Sequence, residues 1–255
     1  MSVDLRELHQ YLDHCLRPDR FQDYCPNGLQ VEGRPVVTRL VTGVTACQDL
    51  IDEAAAWGAD ALLVHHGYFW RSEAPEVVGM KKRRLTALLH HDMSLLAYHL
   101  PLDAHPRMGN NACLGRLMGI ANEDQEPLQP GAVDSVGNIA TLARAESAGA
   151  FVSRVEGFTG RQALHIGDAA APVRRIAWCT GAAQSYLEAA VAAGADLFVT
   201  GEVSEATVHI AREEGIHFVA AGHHATERYG VQAVGEHLQE HFGLQHRFID
   251  IDNPV

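Results

Sequence analysis

His65-His66, His99, Asp103, Glu202, His223-His224 and Glu227 are residue types that bind metals or move protons, and they recur at comparable places along the chain. Each follows a short apolar run. Residues 61–64 precede His65 and His66, residues 95–98 precede His99, Asp103 and His105, residues 197–199 precede Glu202, and residues 218–221 precede His223, His224 and Glu227. Apolar runs of this length read as buried strands. Parallel α/β sheets place their ligands beyond the carboxyl ends of such strands. One His after one strand is ordinarily a satisfied polar residue. Four strand ends that each deliver imidazole or carboxylate carry more information.

Three imidazoles with two carboxylates suit zinc, iron, nickel or manganese. The set exceeds what one tetrahedral catalytic ion needs, since such an ion keeps a position for water. Two ions about 3.5–4 Å apart, bridged by a carboxylate or hydroxide, use it well. Glu227 or Asp103 is the natural bridge, and His99 and Glu202 are candidates to orient ligands or handle protons. Adjacent His65 and His66 on a strand point to opposite faces, so both reach one site only where the backbone turns at Gly67. His223 and Glu227 share a face only if a helix begins by His223. His90-His91 ends a predicted helix, where imidazolium suits the dipole, and reads as structural. His105 and His165 receive no role.

The elements that must position these groups are legible in part. Residues 4–16 read as an amphipathic helix and residues 17–35 as irregular, punctuated by Pro and Gly. A strand at 40–44, a helix at about 47–57 closed by Gly58, and a strand at 61–64 form a β-α-β unit, which requires parallel strands. The unit recurs at a constant offset of 136 residues, with Gln48/Gln184, Gly58/Gly194, Ala59/Ala195 and Asp60/Asp196 in register. A helix and a strand follow each copy, at 79–91 and 95–98, then at 203–214 and 218–221. This self-similarity points to two related α/β lobes. Residues 122–138 read as the connection between them, and residues 139–170 as additional strands. A helix at 226–241 and a strand at 247–251 close the chain.

Composition narrows the function classes. The chain has 255 residues, 16 His, 5 Cys and a formal net charge of −12. Such a charge disfavours general nucleic-acid binding, and the basic run Lys81-Lys82-Arg83-Arg84 reads as a solvated helix face. The N-terminus has no secretory pattern and no apolar run is long enough to span a membrane. The cysteines are scattered and odd in number, as expected of free thiols in a cytoplasmic protein.

The phrases Pro26-Asn27-Gly28-Leu29-Gln30-Val31-Glu32-Gly33, Val64-His65-His66-Gly67, Tyr98-His99-Leu100-Pro101-Leu102-Asp103, Thr200-Gly201-Glu202 and Ala221-Gly222-His223-His224-Ala225-Thr226-Glu227 carry a resemblance. Together they resemble the Nif-three-like family of dinuclear-metal hexameric proteins, also described as GTP cyclohydrolase I type II homologues. The resemblance covers essentially the whole chain. It implies metal ligands at His65, His66, Asp103, His223 and Glu227, and two divalent ions per chain. It implies two α/β lobes with mixed or parallel sheets, at 1–124 (extended by the C-terminal segment) and 125–255, with no inserted third domain. It also implies a ring-shaped homohexamer whose metal sites face an internal cavity.

The implied activity, hydrolytic opening of a purine ring, needs a metal-activated water and a purine pocket. The metal logic is present. No Walker-type loop is, and Gly109-Asn110-Asn111 is too short to count. No Cys is placed like the zinc-binding Cys of the classical cyclohydrolase. The leading reading is a metal-dependent hydrolase acting on a nucleotide or phosphorylated small molecule. The alternatives are a non-catalytic assembly that stores, delivers or senses metal, and a ring that engages nucleic acid, as a repair factor would.

Overall fold

The computed structural model describes residues 1–132 and 135–255; residues 133–134, within the segment read as a connection, lie outside the described residues. In chain order the first elements are β1 (Val3–Asp4), α1 (Leu5–Leu16), β2 (Gly28–Val31), β3 (Val36–Val37), β4 (Arg39–Thr45), α2 (Gln48–Trp57), β5 (Ala61–His66), α3 (Gly79–His90), β6 (Ser94–Ala97) and α4 (Leu100–Ala104). There follow α5 (Asn110–Leu117), β7 (Glu126–Pro127), β8 (Asn138–Ser147), α6 (Ala148–Thr159), β9 (Leu164–Ile166), β10 (Pro172–Trp178), α7 (Leu187–Ala192), β11 (Leu197–Thr200), α8 (Glu205–Glu214), β12 (His217–Ala220), α9 (His223–Phe242) and β13 (Gln245–Phe248). The chain forms two compact units, Met1–Leu102 with Gly230–Asp252, and Asp103–Tyr229 with Asn253–Val255.

The first unit is built on a sheet of order β13-β4-β5-β6-β2, beside a small β1-β3 pair. β13, β4, β5 and β6 run parallel, and β2 joins β6 antiparallel. The central strands β5 and β6 are buried almost throughout, whereas β13 at the edge alternates exposed and half-buried residues. Val41, Leu62, Val64 and Leu95 pack with Leu50, Ile51 and Ala54 of α2 and Leu88 of α3. Each of the Val, Leu and Ile side chains contributes about 1.5–3 kcal/mol by leaving water. Asp4 caps α1 by accepting from the backbone N–H of Arg6, and Gly58 ends α2 at φ 75°.

The second unit is built on a sheet of order β7-β8-β10-β11-β12-β9. β10, β11 and β12 are parallel, and β8 and β9 flank them antiparallel. Residues 103–124 belong to this unit. Leu114 and Met118 share its core with Phe151, Trp178 and Val199, and the Trp178 indole donates to the Asn111 carbonyl at 2.8 Å.

Several elements differ from the sequence reading. Residues 17–35 are not wholly irregular: Leu29 and Val31 of β2 pair with β6. The segment 139–170 supplies β8 and β9 but also the twelve-residue helix α6, capped by Ser147. The last strand starts two residues and ends three residues earlier than predicted, because its pairing with β4 spans Gln245 to Phe248. β5 extends through His65 and His66, since Thr45 pairs with His66. The five cysteines form no disulfide among the described residues.

Candidate metal centre

In the first unit the ends of β5 and β6 bring three imidazoles together. Candidate ligand atoms of His65, His66 and His99 all lie within 4.8 Å of one another. The rings of His65 and His66 are 4.5 Å apart between centroids, so the strand end does converge the doublet. His65 is fully buried, and its Nδ1 lies 3.0 Å from the Tyr98 carbonyl oxygen. A carbonyl only accepts, so Nδ1 carries the proton and Nε2 presents its lone pair, the tautomer a metal needs. His66 Nδ1 is 3.1 Å from the Thr45 hydroxyl.

His99 is held by a carboxylate the sequence reading missed. Its Nδ1 donates to Asp23 Oδ1 at 2.7 Å, and its backbone N–H donates to Asn27 Oδ1 at 2.7 Å. Asp23 also accepts from the backbone N–H groups of Tyr24 and Leu100 and from the Asn27 amide. Burial alone would push the Asp23 carboxyl up. The His99 hydrogen bond and charge, with those of Asn27 and Tyr24, outweigh it and bring the carboxyl down to about 2. Trp70, also unforeseen, stands edge-on to His99 with centroids 5.0 Å apart. Trp70 follows Phe69, whose φ of 65° is unusual for a bulky residue and sits where the backbone N–H groups of both residues turn onto Glu73. Asp23, Cys25 and His99 form a second close grouping. It fits a metal less well, because burial and the Asp23 charge push the Cys25 thiol up to about 12, away from the thiolate a metal requires.

In the second unit, α9 begins at His223, so His223 and Glu227 do share a face: His223 Nε2 and Glu227 Oε2 are 3.1 Å apart. On its other side His223 Nδ1 meets Glu202 Oε1 at 2.7 Å. Burial lowers the His223 pKa, but Glu227 and then Glu202 overcome it and raise it to about 9. Room for this pair comes from glycines. A Cβ on Gly181 would strike the Glu227 carboxylate, and one on Gly201 would strike the His223 backbone.

Asp103, near the end of α4, is buried and accepts at Oδ1 from the Asn110 amide at 2.9 Å and the Thr180 hydroxyl at 3.1 Å. Asp103 and Glu227 both border the end of β10. Burial first, and then these two charges, drive the Cys179 thiol well above its ordinary value. His105 turns its Nδ1 to the Met108 N–H, a local cap. His165 pairs with His217 at 3.1 Å.

The donor chemistry fits divalent metal. The first unit offers imidazoles with one tautomer fixed by a carbonyl and another ring oriented by a carboxylate. The second offers buried carboxylates beside an imidazole already clasped by acids. Of the candidates, the structure gathers His65, His66 and His99 in one unit, and Glu202, His223 and Glu227 in the other. Asp23 had no sequence signal of its own. Asn27 lay in the Pro26-Asn27-Gly28 phrase, though no role had been read for it.

Two α/β units of this topology with His and carboxylate at their strand ends define a recognisable class. Residues 3–254 match the Duf34/NIF3 (NGG1p interacting factor 3) family, and the chain belongs to that family. It is 56% identical over 255 residues to the GTP cyclohydrolase 1 type 2 homolog of Pseudomonas aeruginosa, covering the whole of both chains. It is 50% identical over 251 residues to the protein of the same description from Escherichia coli K12, covering 98% of each. Among solved structures it is similar to protein ybgI, described as of unknown function, with TM-score 0.93 and 47% identity over 99% of this chain and 100% of the other. It is also similar to TTHA1606 from Thermus thermophilus, with TM-score 0.87 and 36% identity over the same shares.

Proposed function

We propose that His65, His66, Asp103, His223 and Glu227 bind two divalent ions, drawn from zinc, iron, manganese and nickel, and that the protein is a metal-dependent hydrolase acting on a nucleotide or related small molecule. The observation that carries this reading is the close imidazole cluster with its fixed His65 tautomer. Divalent ions held there would lower the pKa of bound water to about 7 and polarise the group under attack. His99, steadied by Asp23, is placed to take or return a proton, and Glu202 aligns His223 through Nδ1. The names carried by the relatives of the chain support a nucleotide as substrate.

The same reading includes a toroidal homohexamer with the sites facing its cavity, working in the cytoplasm. Among the described residues no helix is long and apolar enough to cross a membrane.

Elemental analysis of purified, metal-loaded protein tests the premise, with about two ions per chain expected. Less than half an ion per chain removes it. A screen of nucleotides, phosphoesters and cyclic amidines, with and without chelator, tests the hydrolase. Full metal content with no turnover under several metals replaces it with a storage, delivery or sensing role.

A further inference from the structure

The basic run Lys81-Lys82-Arg83-Arg84 reads in the sequence as a solvated helix face, and for Lys81 that reading fails. Lys82 and Arg83 are exposed, but the Lys81 side chain, near the start of α3, is only 11% exposed. Its Nζ lies 3.1 Å from Glu73 Oε1, donates to the Ala74 carbonyl at 2.9 Å and stands 5.3 Å from the centre of the Phe69 ring. An ammonium has three donors, and a carboxylate, a carbonyl and an aromatic face surround this one. All three partners belong to the loop 67–78, which leaves β5 directly after His66.

That loop is built around an unfavourable conformation. Phe69 sits at φ 65°, which a bulky residue keeps only where its surroundings impose it. Glu73 imposes it. Oε2 accepts from the backbone N–H groups of Phe69 at 2.6 Å and Trp70 at 3.2 Å, while Oε1 faces Lys81. One carboxylate thus joins the backbone of Phe69 and Trp70 to the ammonium. Gln30 accepts from the neighbouring Tyr68 N–H at 2.7 Å, and the Arg71 N–H donates to the Tyr24 carbonyl at 2.8 Å. Tyr24 follows Asp23, the carboxylate that holds His99.

What the loop delivers is Trp70. Its indole N–H donates to the Gly67 carbonyl at 3.1 Å, which fixes the direction of the ring. The ring centre lies 5.0 Å from that of His99 and 6.0 Å from that of His66. A hydrogen bond at Nδ1 anchors one atom of an imidazole and leaves the ring free to tilt about it. A large ring packed alongside removes that freedom.

We propose that Lys81 is a positioning residue for the imidazole cluster, acting through Glu73 and Trp70 on His66 and His99. The role rests on the reading of this cluster as a metal site, and it adds a determinant that reaches the imidazoles through two intermediaries.

The test compares the wild type with Lys81→Met, Lys81→Arg, Glu73→Gln and Trp70→Leu in two measurements. Amide hydrogen exchange on the metal-free protein reads the Phe69 and Trp70 N–H groups. Competition with a chelator reads zinc affinity. Lys81→Met should speed exchange of both amides about tenfold and weaken zinc binding about tenfold. Glu73→Gln, which breaks the same link from its other side, should match it. Trp70→Leu should weaken zinc binding at least as much, and Lys81→Arg, which keeps the charge, should lose less. Asp60→Ala is the control, because Asp60 precedes β5 at the end far from His66 and its removal reads stability alone. Unchanged exchange in Lys81→Met and Glu73→Gln, or unchanged zinc affinity in either Lys81→Met or Trp70→Leu, overturns the role. So does a loss of zinc affinity in Asp60→Ala as large as that in Lys81→Met. A wild type that binds no zinc removes the metal reading, whereas zinc held equally by the wild type and the variants removes only the positioning role.

Discussion

The two units share one device at the amino ends of their parallel strands and differ at the carboxyl ends. In the first, Asp60 Oδ2 accepts from the backbone N–H groups of Thr38 and Arg39 at 2.8 Å each. In the second, Asp196 Oδ2 accepts from Arg174 and Arg175 at 2.8 and 2.7 Å. These are the same contacts moved by 136 residues, and Gly58 and Gly194 precede them at φ 75° and 71°. The carboxylate ties the end of the β-α-β helix to the start of the preceding strand, which is a folding function. At the other end of the same strands, the first unit delivers three imidazoles where the second delivers carboxylates around one imidazole. The repeat therefore keeps what pairs strands and varies what meets ligands, as expected of sheets that bind beyond their carboxyl ends.

The sharpest way to break this contrast is to remove a group at each end. His66→Ala should lose at least one of the two ions per chain and abolish metal-dependent turnover, yet keep its cooperative melt, because His66 is at a strand end and only partly buried. Elemental analysis with circular dichroism checks it; a chain that unfolds would make the site structural. At the amino ends, Asp60→Ala and Asp196→Ala should cost stability and leave metal content alone. Asp60 should cost more, about 3 kcal/mol, because it is 8% exposed and also pairs with Arg34 at 2.9 Å. Asp196 is exposed and should cost about 1 kcal/mol. Urea titration orders the two, and equal losses would mean that burial does not distinguish them. Glu202→Gln should lower metal affinity about tenfold, because it loosens the orientation of His223 without removing a ligand. Competition with a chelator measures it, and unchanged affinity would mean that Glu202 does not orient the ligand.

A smaller effect concerns the strands that each unit adds at the margin of its repeat. β13 carries His246 and β9 carries His165, and burial lowers both pKa values, with His217 adding to the effect on His165. A His held below its ordinary 6.5 is neutral in the fold while the unfolded chain takes up protons. Its contribution is therefore complete above about pH 6.5 and declines as pH falls. His246→Gln should flatten the loss of Tm between about pH 7.5 and 5.5. An unaltered slope would assign the acid sensitivity to other groups.

Much of this was legible from residues 39–66 and 175–202, where apolar runs, Gly caps and acid positions repeat. The strand ends and their His and carboxylates followed from the same pattern. What escaped was long-range. Asp23 reaches His99 across 76 residues, and nothing near Asp23 in the chain marks it as a partner. β2 was hidden because Pro and Gly flank a four-residue strand whose pairing with β6 is visible only after folding. α6 was missed although Ala148, Phe151, Val152, Val155 and Thr159 fall at the spacing of one buried helical face between the Ser147 cap and Gly160.

Gly181 and Gly201 give the His223–Glu227 pair its room, so part of that site consists of volume left empty. In a mutational scan, such positions would be as intolerant as the ligands, though they donate no atom to a metal. A library designer who protects only acids and imidazoles would randomise them and lose the site. The hits that survive such a library would trace the outline of a cavity, drawn by the residues that must stay small.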